Sequence, residues 1–428
     1  MPKAKATICL LLIAIGAVRA GDWDVVNRAL GIPLFARDPL LGELSEPVAE
    51  RLGLVRQSDT KRRPIWSGKS IRMGDLPIAE LRLFTDLDST VDHVEINVVN
   101  KGDFYSETNV REFALDIYNH AGRADNAIKK GSANLRRRLK QAFDRRFEGS
   151  RDALTETLTA VFGKPEHEHM KQSRRRRALR WDWRDVALVL DAEKDEFLIL
   201  RVLPRKLADG GGRGKRVNDG KLKQQLPKRV LQAESGDRLI QDIPLVDQGD
   251  KGYCAVASGE RLLRYMGIPV DSHQLADLAR TDKRGGTTED GMDHAMRVIA
   301  TKNRRSYRRI GSEPTIKTVS KYIDRGLPML WSVKVIEAFE AGVRTRNEGR
   351  DAPGGRRWRL LLEDANRKTR ALEKQRGSLH MRLVVGYNPE TKEIAYSDTW
   401  TGQAEILWIT EREARAIGGR AGLAILMP

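Results

Sequence analysis

Two stretches in the first quarter of the chain alternate apolar and polar residues with a period of two: Ile78–Phe84 (I-A-E-L-R-L-F) and His93–Val99 (H-V-E-I-N-V-V). Successive side chains of a strand point to opposite faces, so each stretch predicts a strand with only one face buried. Val110–Asn119 and Asn126–Phe162 follow a helical period and are studded with Arg and Lys. Leu179–Leu190 and Glu196–Leu203 are β-prone runs and predict a hairpin that turns at Glu193-Lys194-Asp195. Residues 76–204 therefore predict a compact α+β domain of two strands, helices, and two more strands. Ahead of it, residues 21–75 are rich in Gly, Pro and charge, and predict a helix near Val48–Leu54 among loops.

Residues 205–229 lose all periodicity and are rich in Gly, Lys and Arg, which predicts a flexible linker and a domain boundary. A second domain, 230–428, follows. A helix is expected from Cys254, another from Asp271 or Ser272 to Arg280, and a third over Asp290–Lys302, opened by Thr287-Thr288-Glu289-Asp290 with cap residues and acids in its first turn. Thr315–Arg325 predicts a helix and Met329–Val335 a strand. Residues 337–377 are strongly charged, with a helix over Trp358–Gln375, and have the character of an insertion over or beside a site. Three strands are expected at His380–Tyr387, Glu393–Ser397 and Ala404–Ile409, then a helix Glu411–Ile417 and a last strand Gly422–Met427. Helices come first and an antiparallel sheet second, an α+β arrangement.

The chain starts with Lys3 and Lys5, an apolar core Thr7–Val18, and Val18-Arg19-Ala20. Residues 1–20 thus predict a cleaved signal peptide and export to the periplasm or the extracellular space. No later run approaches the ~20 apolar residues of a membrane span. The formal charge is +18. It is dispersed and not interleaved with aromatic residues, so it reads as solvated helix faces and not as a nucleic-acid surface. Of two cysteines, Cys9 lies in the leader and Cys254 is left without an internal partner. Such a thiol is intermolecular, buried and inert, or reactive.

The surroundings of Cys254 favour reactivity. It follows Q-G-D-K-G-Y, with Gln248 six residues ahead and two glycines between, and it begins a helix. The positive end of a helix dipole favours a thiolate, and a glutamine amide can donate to an oxyanion. A nucleophile needs a base, and the base an orienting group. His380 starts a strand and Asp398 ends the next, so antiparallel pairing would bring them together. His273, at a helix start, reads as solvated; His294, mid-helix, reads as a partly buried structural residue. Asn388 precedes Pro389 and suits the turn better than the site, and Trp400 is either a shield for the His–Asp pair or core. His167 and His169 sit in a loop-like P-E-H-E-H without an evident third ligand, so no metal site is expected, and no cofactor. The run Arg174–Arg177 reads as a solvated helix end or loop.

The segments Gln248–Cys254, His380–Asn388 and Ser397–Trp400 resemble the papain-like cysteine peptidases, most closely the bacteriocin-processing, double-glycine branch and its stand-alone secreted relatives. The resemblance covers only the last ~200 residues. It implies a papain-like domain with the nucleophile helix packed on an antiparallel sheet, preceded by a separate α+β domain. It further implies Cys254 as nucleophile, His380 as general base, Asp398 as orienter, Gln248 as oxyanion donor, and a peptide or protein as substrate. Two alternatives share the fold: a transglutaminase-like acyltransferase, and a non-catalytic exported binding protein. The double-glycine resemblance also raises self-processing at Gly210-Gly211 or Gly354-Gly355, which chain flexibility explains equally well.

Overall fold

The computed structural model describes residues 23–428 except 37–39, 58–64, 70, 87, 170–176, 210–217, 283–285, 312, 351–354 and 401–405. The expected leader, Gly210-Gly211, Gly354 and most of Arg174–Arg177 fall outside the described residues. The described chain is mixed α+β, with two antiparallel eight-stranded sheets.

The first sheet runs β1-β2-β5-β6-β10-β9-β8-β7. Its strands are β1 (Val55–Arg56), β2 (Ile65–Lys69), β5 (Glu80–Thr85), β6 (Val91–Asn100), β7 (Glu166–His169), β8 (Arg177–Trp183), β9 (Val186–Glu193) and β10 (Phe197–Pro204). A separate small hairpin is made by β3 (Arg72–Met73) and β4 (Leu76–Pro77). The described part of 21–75 is thus part of this sheet and its core. Trp23 and Phe35, flanking the helix Trp23–Leu30, stack at 5.0 Å, and both join the buried cluster under the sheet. Closing that core is the helix Ala133–Phe162, whose buried residues Leu135, Leu139, Phe143, Phe147, Ser150, Leu154 and Leu158 form one stripe.

Several expectations are corrected here. The long helical run 126–162 is two helices, Ala121–Lys129 and Ala133–Phe162. They are separated by Gly131 in the left-handed region, where φ is +60°, and by Ser132 capping the second helix. Leu179–Leu190 is not one strand but a hairpin, β8 and β9, that turns at Arg184 with φ +57°. An arginine there gives no turn signal, but its guanidinium lies 4.6 Å from the Trp23 ring. His167 and His169 belong to the edge strand β7 instead of a loop.

The described part of 205–229 is also ordered, in the helices Arg205–Asp209 and Asp219–Gln225 and a 3-10 turn Pro227–Arg229. Asn218 caps the second of these, and Leu222 and Leu226 are buried in the second core. Two leucines spaced one helical turn apart supply the burial that a Gly- and Lys-rich composition hid.

The second sheet runs β11-β12-β15-β14-β18-β13, with β16 paired to β15 and β17 to β16. Its strands are β11 (Val230–Gln232), β12 (Arg238–Ile240), β13 (Ser306–Arg309), β14 (Met329–Val335), β15 (Ser378–Asn388), β16 (Glu393–Ser397), β17 (Ile406–Thr410) and β18 (Gly418–Met427). The helices Cys254–Tyr265, Ser272–Leu278 and Glu289–Lys302 form the helical part, the last two capped by Asp271 and Thr288. The charged segment 337–377 contributes two helices, Glu337–Asn347 and Arg356–Lys374, which bury Phe339, Val343, Trp358 and Leu372. Among the described residues no helix is long and apolar enough to cross a membrane.

The polar face of the first sheet holds a further correction. Strands β5 and β6 are buried on both faces. Glu80, Arg82, Glu95, Asn97 and Arg201, on or beside the polar side, are nearly inaccessible. They meet the helical part of the second domain. Arg82 pairs with Glu260 at 3.3 Å, Arg201 with Asp271 at 2.7 Å, and Asn97 Nδ2 lies 2.6 Å from His273 Nε2. His273 is therefore buried, not solvated. Burial pushes it down to about 3, with Lys251 acting in the same direction, so it is neutral.

Candidate active site

Cys254 begins the helix Cys254–Tyr265, as the Gly-rich corner before it predicts. The small residues after it permit close packing. A Cβ on Gly259 would sit 2.1 Å from Met292 Cε and 2.7 Å from Leu275 Cδ2. One turn beyond Cys254, on the same face, Ser258 Oγ donates to the Met381 carbonyl at 3.0 Å. That bond fixes the helix against β15 beside His380.

His380 and Asp398 come together as strand pairing predicts. Leu383 faces Ser397 in the β15–β16 register, which places Asp398 beside Arg382 and His380. His380 Nε2 lies 2.7 Å from Asp398 Oδ1. The Cys254 sulfur is the ring's other electrostatic neighbour, near enough to act on its titration. Burial alone would lower the His380 pKa, but the Asp398 carboxylate and the Cys254 sulfur outweigh it and raise it to about 9. Burial acts to raise Asp398, yet His380 and Arg382 hold it well below the usual carboxylate range. Trp400 stacks on the His380 ring at 4.4 Å with 20° between planes, and so covers one face of the His–Asp pair.

The carboxylate has more partners than the sequence reading foresaw. Arg382 Nε donates to Asp398 Oδ2 at 2.7 Å, and the Thr399 amide donates to Oδ1 at 2.7 Å. Arg382 is fully buried and also reaches Glu340 at 2.8 Å, so the charged segment after 337 supports the site from beside it. Arg261, two turns beyond Cys254, donates to the Asp398 carbonyl at 2.8 Å, to Ser397 Oγ at 2.6 Å and to the Pro244 carbonyl at 2.9 Å. It ties the nucleophile helix to the strand end that carries Asp398. Arg382 was detectable, because it stands two residues after His380 and shares its strand face. Arg261 stands seven after Cys254, the interval of one helix face.

Gln248 lies in the same constellation. Its amide nitrogen donates to the Thr399 carbonyl at 3.0 Å, and its Oε1 accepts from Thr399 Oγ1 at 2.7 Å. That bond fixes the Oε1 end of the Gln248 side chain. The first N–H groups of the Cys254 helix have no intrahelical acceptor and add donors at the same end. The two other histidines that follow Cys254 are elsewhere: His273 in the interdomain contact and His294 exposed on its helix, where partial burial was expected. Asn388 makes the turn, accepting from the amides of Glu390 and Thr391.

A thiol, an imidazole, a carboxylate and an oriented amide at a helix N-terminus form the constellation of cysteine acyl-transfer chemistry. Residues 240–415 match the model of the Peptidase_C39 like family, a span that contains Gln248, Cys254, His380 and Asp398. The C-terminal region is thus a C39-like domain with the papain-like cysteine peptidase fold. A comparison with curated proteins gives no match.

Proposed function

We infer that the protein is an exported cysteine peptidase that hydrolyses peptide bonds through Cys254, His380 and Asp398, with Gln248 as oxyanion donor. The observation that carries this reading is the His380–Asp398 pair at 2.7 Å, with Cys254 at the head of its helix close enough to help raise His380 to about 9. A histidine in that state is protonated at neutral pH, and in this reading the nucleophile acts as its thiolate. The thiolate attacks the carbonyl carbon of the scissile amide. The Gln248 Nε2 and Cys254 backbone N–H groups receive the developing negative charge. His380 gives its proton to the leaving nitrogen, the C–N bond breaks, and a thioester remains on Cys254. Water loses a proton to His380, attacks the thioester and releases the carboxylic acid as the C–S bond breaks, which restores the thiolate–imidazolium pair. The basic, apolar leader at residues 1–20 supports export.

The test is turnover of a peptide library by the chain without residues 1–20, which carry the other cysteine, Cys9, and by its Cys254→Ala form. Wild type should cleave and be labelled by a thiol-directed probe, and the variant should do neither. Hydrolysis retained in Cys254→Ala would end this reading. A primary amine in the assay that becomes acylated in preference to water would replace it with an acyltransferase.

A further inference from the structure

The loop that carries the oxyanion donor, Asp247–Tyr253, is held by the N-terminal domain at four points. Lys69 Nζ, on β2, pairs with Asp247 Oδ2 at 2.9 Å, while Asp247 Oδ1 accepts the Gly249 amide at 2.8 Å. Thr108 Oγ1 donates to Asp250 Oδ2 at 3.4 Å. Lys251 Nζ pairs with Asp103 Oδ1 at 2.8 Å, with the lysine side chain only 5% exposed. The Tyr253 phenol packs directly against Gly102. Gly102 permits this approach: a Cβ there would lie 2.7 Å from both Lys251 Cδ and Tyr253 Cζ. Asp103 is itself fixed by Asn100, which accepts the Asp103 amide at 2.8 Å and donates to Asp103 Oδ2 at 2.6 Å.

These contacts alternate along the loop with the residues that face the site. Asp247, Asp250, Lys251 and Tyr253 point to the first domain, whereas Gln248 points to Thr399 and Cys254 to His380. A Gly-containing segment with φ +64° at Gly249 has little rigidity of its own. Its fixed shape comes from partners at both sides. We propose that the N-terminal domain is an intramolecular clamp for the oxyanion loop, and that Asp103 and Lys69 are positioning residues for the reaction at Cys254. The inference rests on the peptidase reading and gives the first domain a part in it.

Because Lys251 is buried, removing Asp103 alone would leave an unpaired buried charge and risk misfolding. The pair is better removed together, as Asp103→Asn with Lys251→Met, and the exposed Lys69→Met serves as a second, milder variant. Amide hydrogen exchange of the full chain reads the loop without any substrate. Residues 247–253 should exchange about tenfold faster in the variants, with the second-sheet amides unchanged. On a cleaved peptide, kcat should fall about 10–100-fold at unchanged KM, since the misplaced group is an oxyanion donor. In a Gln248→Ala background the same substitutions should cost nothing further. Loop exchange that stays at the wild-type rate overturns the clamp. So does an undiminished loss in the Gln248→Ala background, which would be general destabilisation. If no peptide is cleaved by wild type, the exchange result still decides the clamp while the peptidase reading fails separately.

Discussion

Two buried histidines lie in the same domain and titrate in opposite directions. His380 is 7% exposed and His273 is 4% exposed, so desolvation acts on both to disfavour the charged form. His380 nevertheless rises to about 9 and His273 falls to about 3. The difference is in what each ring touches. His380 has a carboxylate at 2.7 Å and the Cys254 sulfur near enough to act on it. His273 has a neutral amide at 2.6 Å and the Lys251 ammonium nearby. Burial alone therefore does not mark a catalytic histidine. The charge of its neighbours does, and that separates the site from the interdomain contact.

The largest test of this contrast is Asp398→Asn. The amide keeps the shape but removes the charge that raises His380. The ring's titration midpoint, followed by NMR of its carbon-bound protons, should drop from about 9 to below the ordinary histidine value of 6.5. Turnover should fall about a thousand- to ten-thousandfold, the range for loss of the carboxylate from a triad. Arg382 and Thr399, which donate to the same carboxylate, would then face a neutral oxygen or an amide N–H. Some loss of stability should accompany the loss of rate. A midpoint that stays near 9 in the variant would refute the assignment of Asp398 as the cause.

Stability against pH sharpens the same contrast, because the two histidines slope in opposite directions. For His380 the folded pKa lies above the unfolded value of 6.5. Its contribution is complete below 6.5 and disappears as pH rises through about 9. A midpoint moved that far corresponds to about 3 kcal/mol. For His273 the folded pKa lies below 6.5. The unfolded chain binds the extra proton, so stability falls as pH drops from 6.5 toward 3. Urea unfolding between pH 4 and 9 should therefore show a maximum between these windows. His380→Gln should flatten the alkaline side and His273→Gln the acid side down to about pH 4.5, where carboxylates take over. An unaltered acid limb in His273→Gln would show that its neutral state is not maintained by the fold.

The two regions also differed in how far they could be read from sequence. The C-terminal site was legible because its signals are local. Cys254 follows a glycine corner, His380 and Asp398 bound two short β-prone runs, and Asp271 and Thr288 are side-chain caps of the kind that start helices. Strand alternation then fixed which side chains share a face. The first sheet gave its strands β5 and β6 by the same rule, but alternation states only which positions are polar, not what covers them. Arg82, Asn97 and Arg201 looked like a solvated face until Glu260, His273 and Asp271 closed over it. These partners lie between 70 and 178 residues away in sequence. No local pattern encodes such a pairing. Turns without glycine, such as Arg184, and buried leucines inside a Lys-rich stretch, such as Leu222 and Leu226, were hidden for a related reason. Tertiary contacts there outweigh composition.

The smallest expected effect concerns Thr399, which joins the orienter to the oxyanion donor. Its amide bonds Asp398, its carbonyl accepts from the Gln248 amide, and its hydroxyl donates to Gln248 Oε1. Thr399→Val removes only the hydroxyl and keeps the volume and both backbone bonds. Gln248 Oε1 then loses its donor, and the side-chain amide is free to rotate about its last torsion. Complete loss of an oxyanion donor costs about 10²–10³-fold in kcat. A donor that is still present but no longer held should cost less, about tenfold, at unchanged KM. The His380 midpoint should not move, because the Thr399 amide still reaches Asp398. Thr399→Ser, which keeps the hydroxyl, should restore most of the rate. A Val variant with wild-type kcat would mean that the Gln248 amide is held by its backbone alone. A Val variant that shifts the His380 midpoint would mean that the hydroxyl acts on the triad and not on the oxyanion donor.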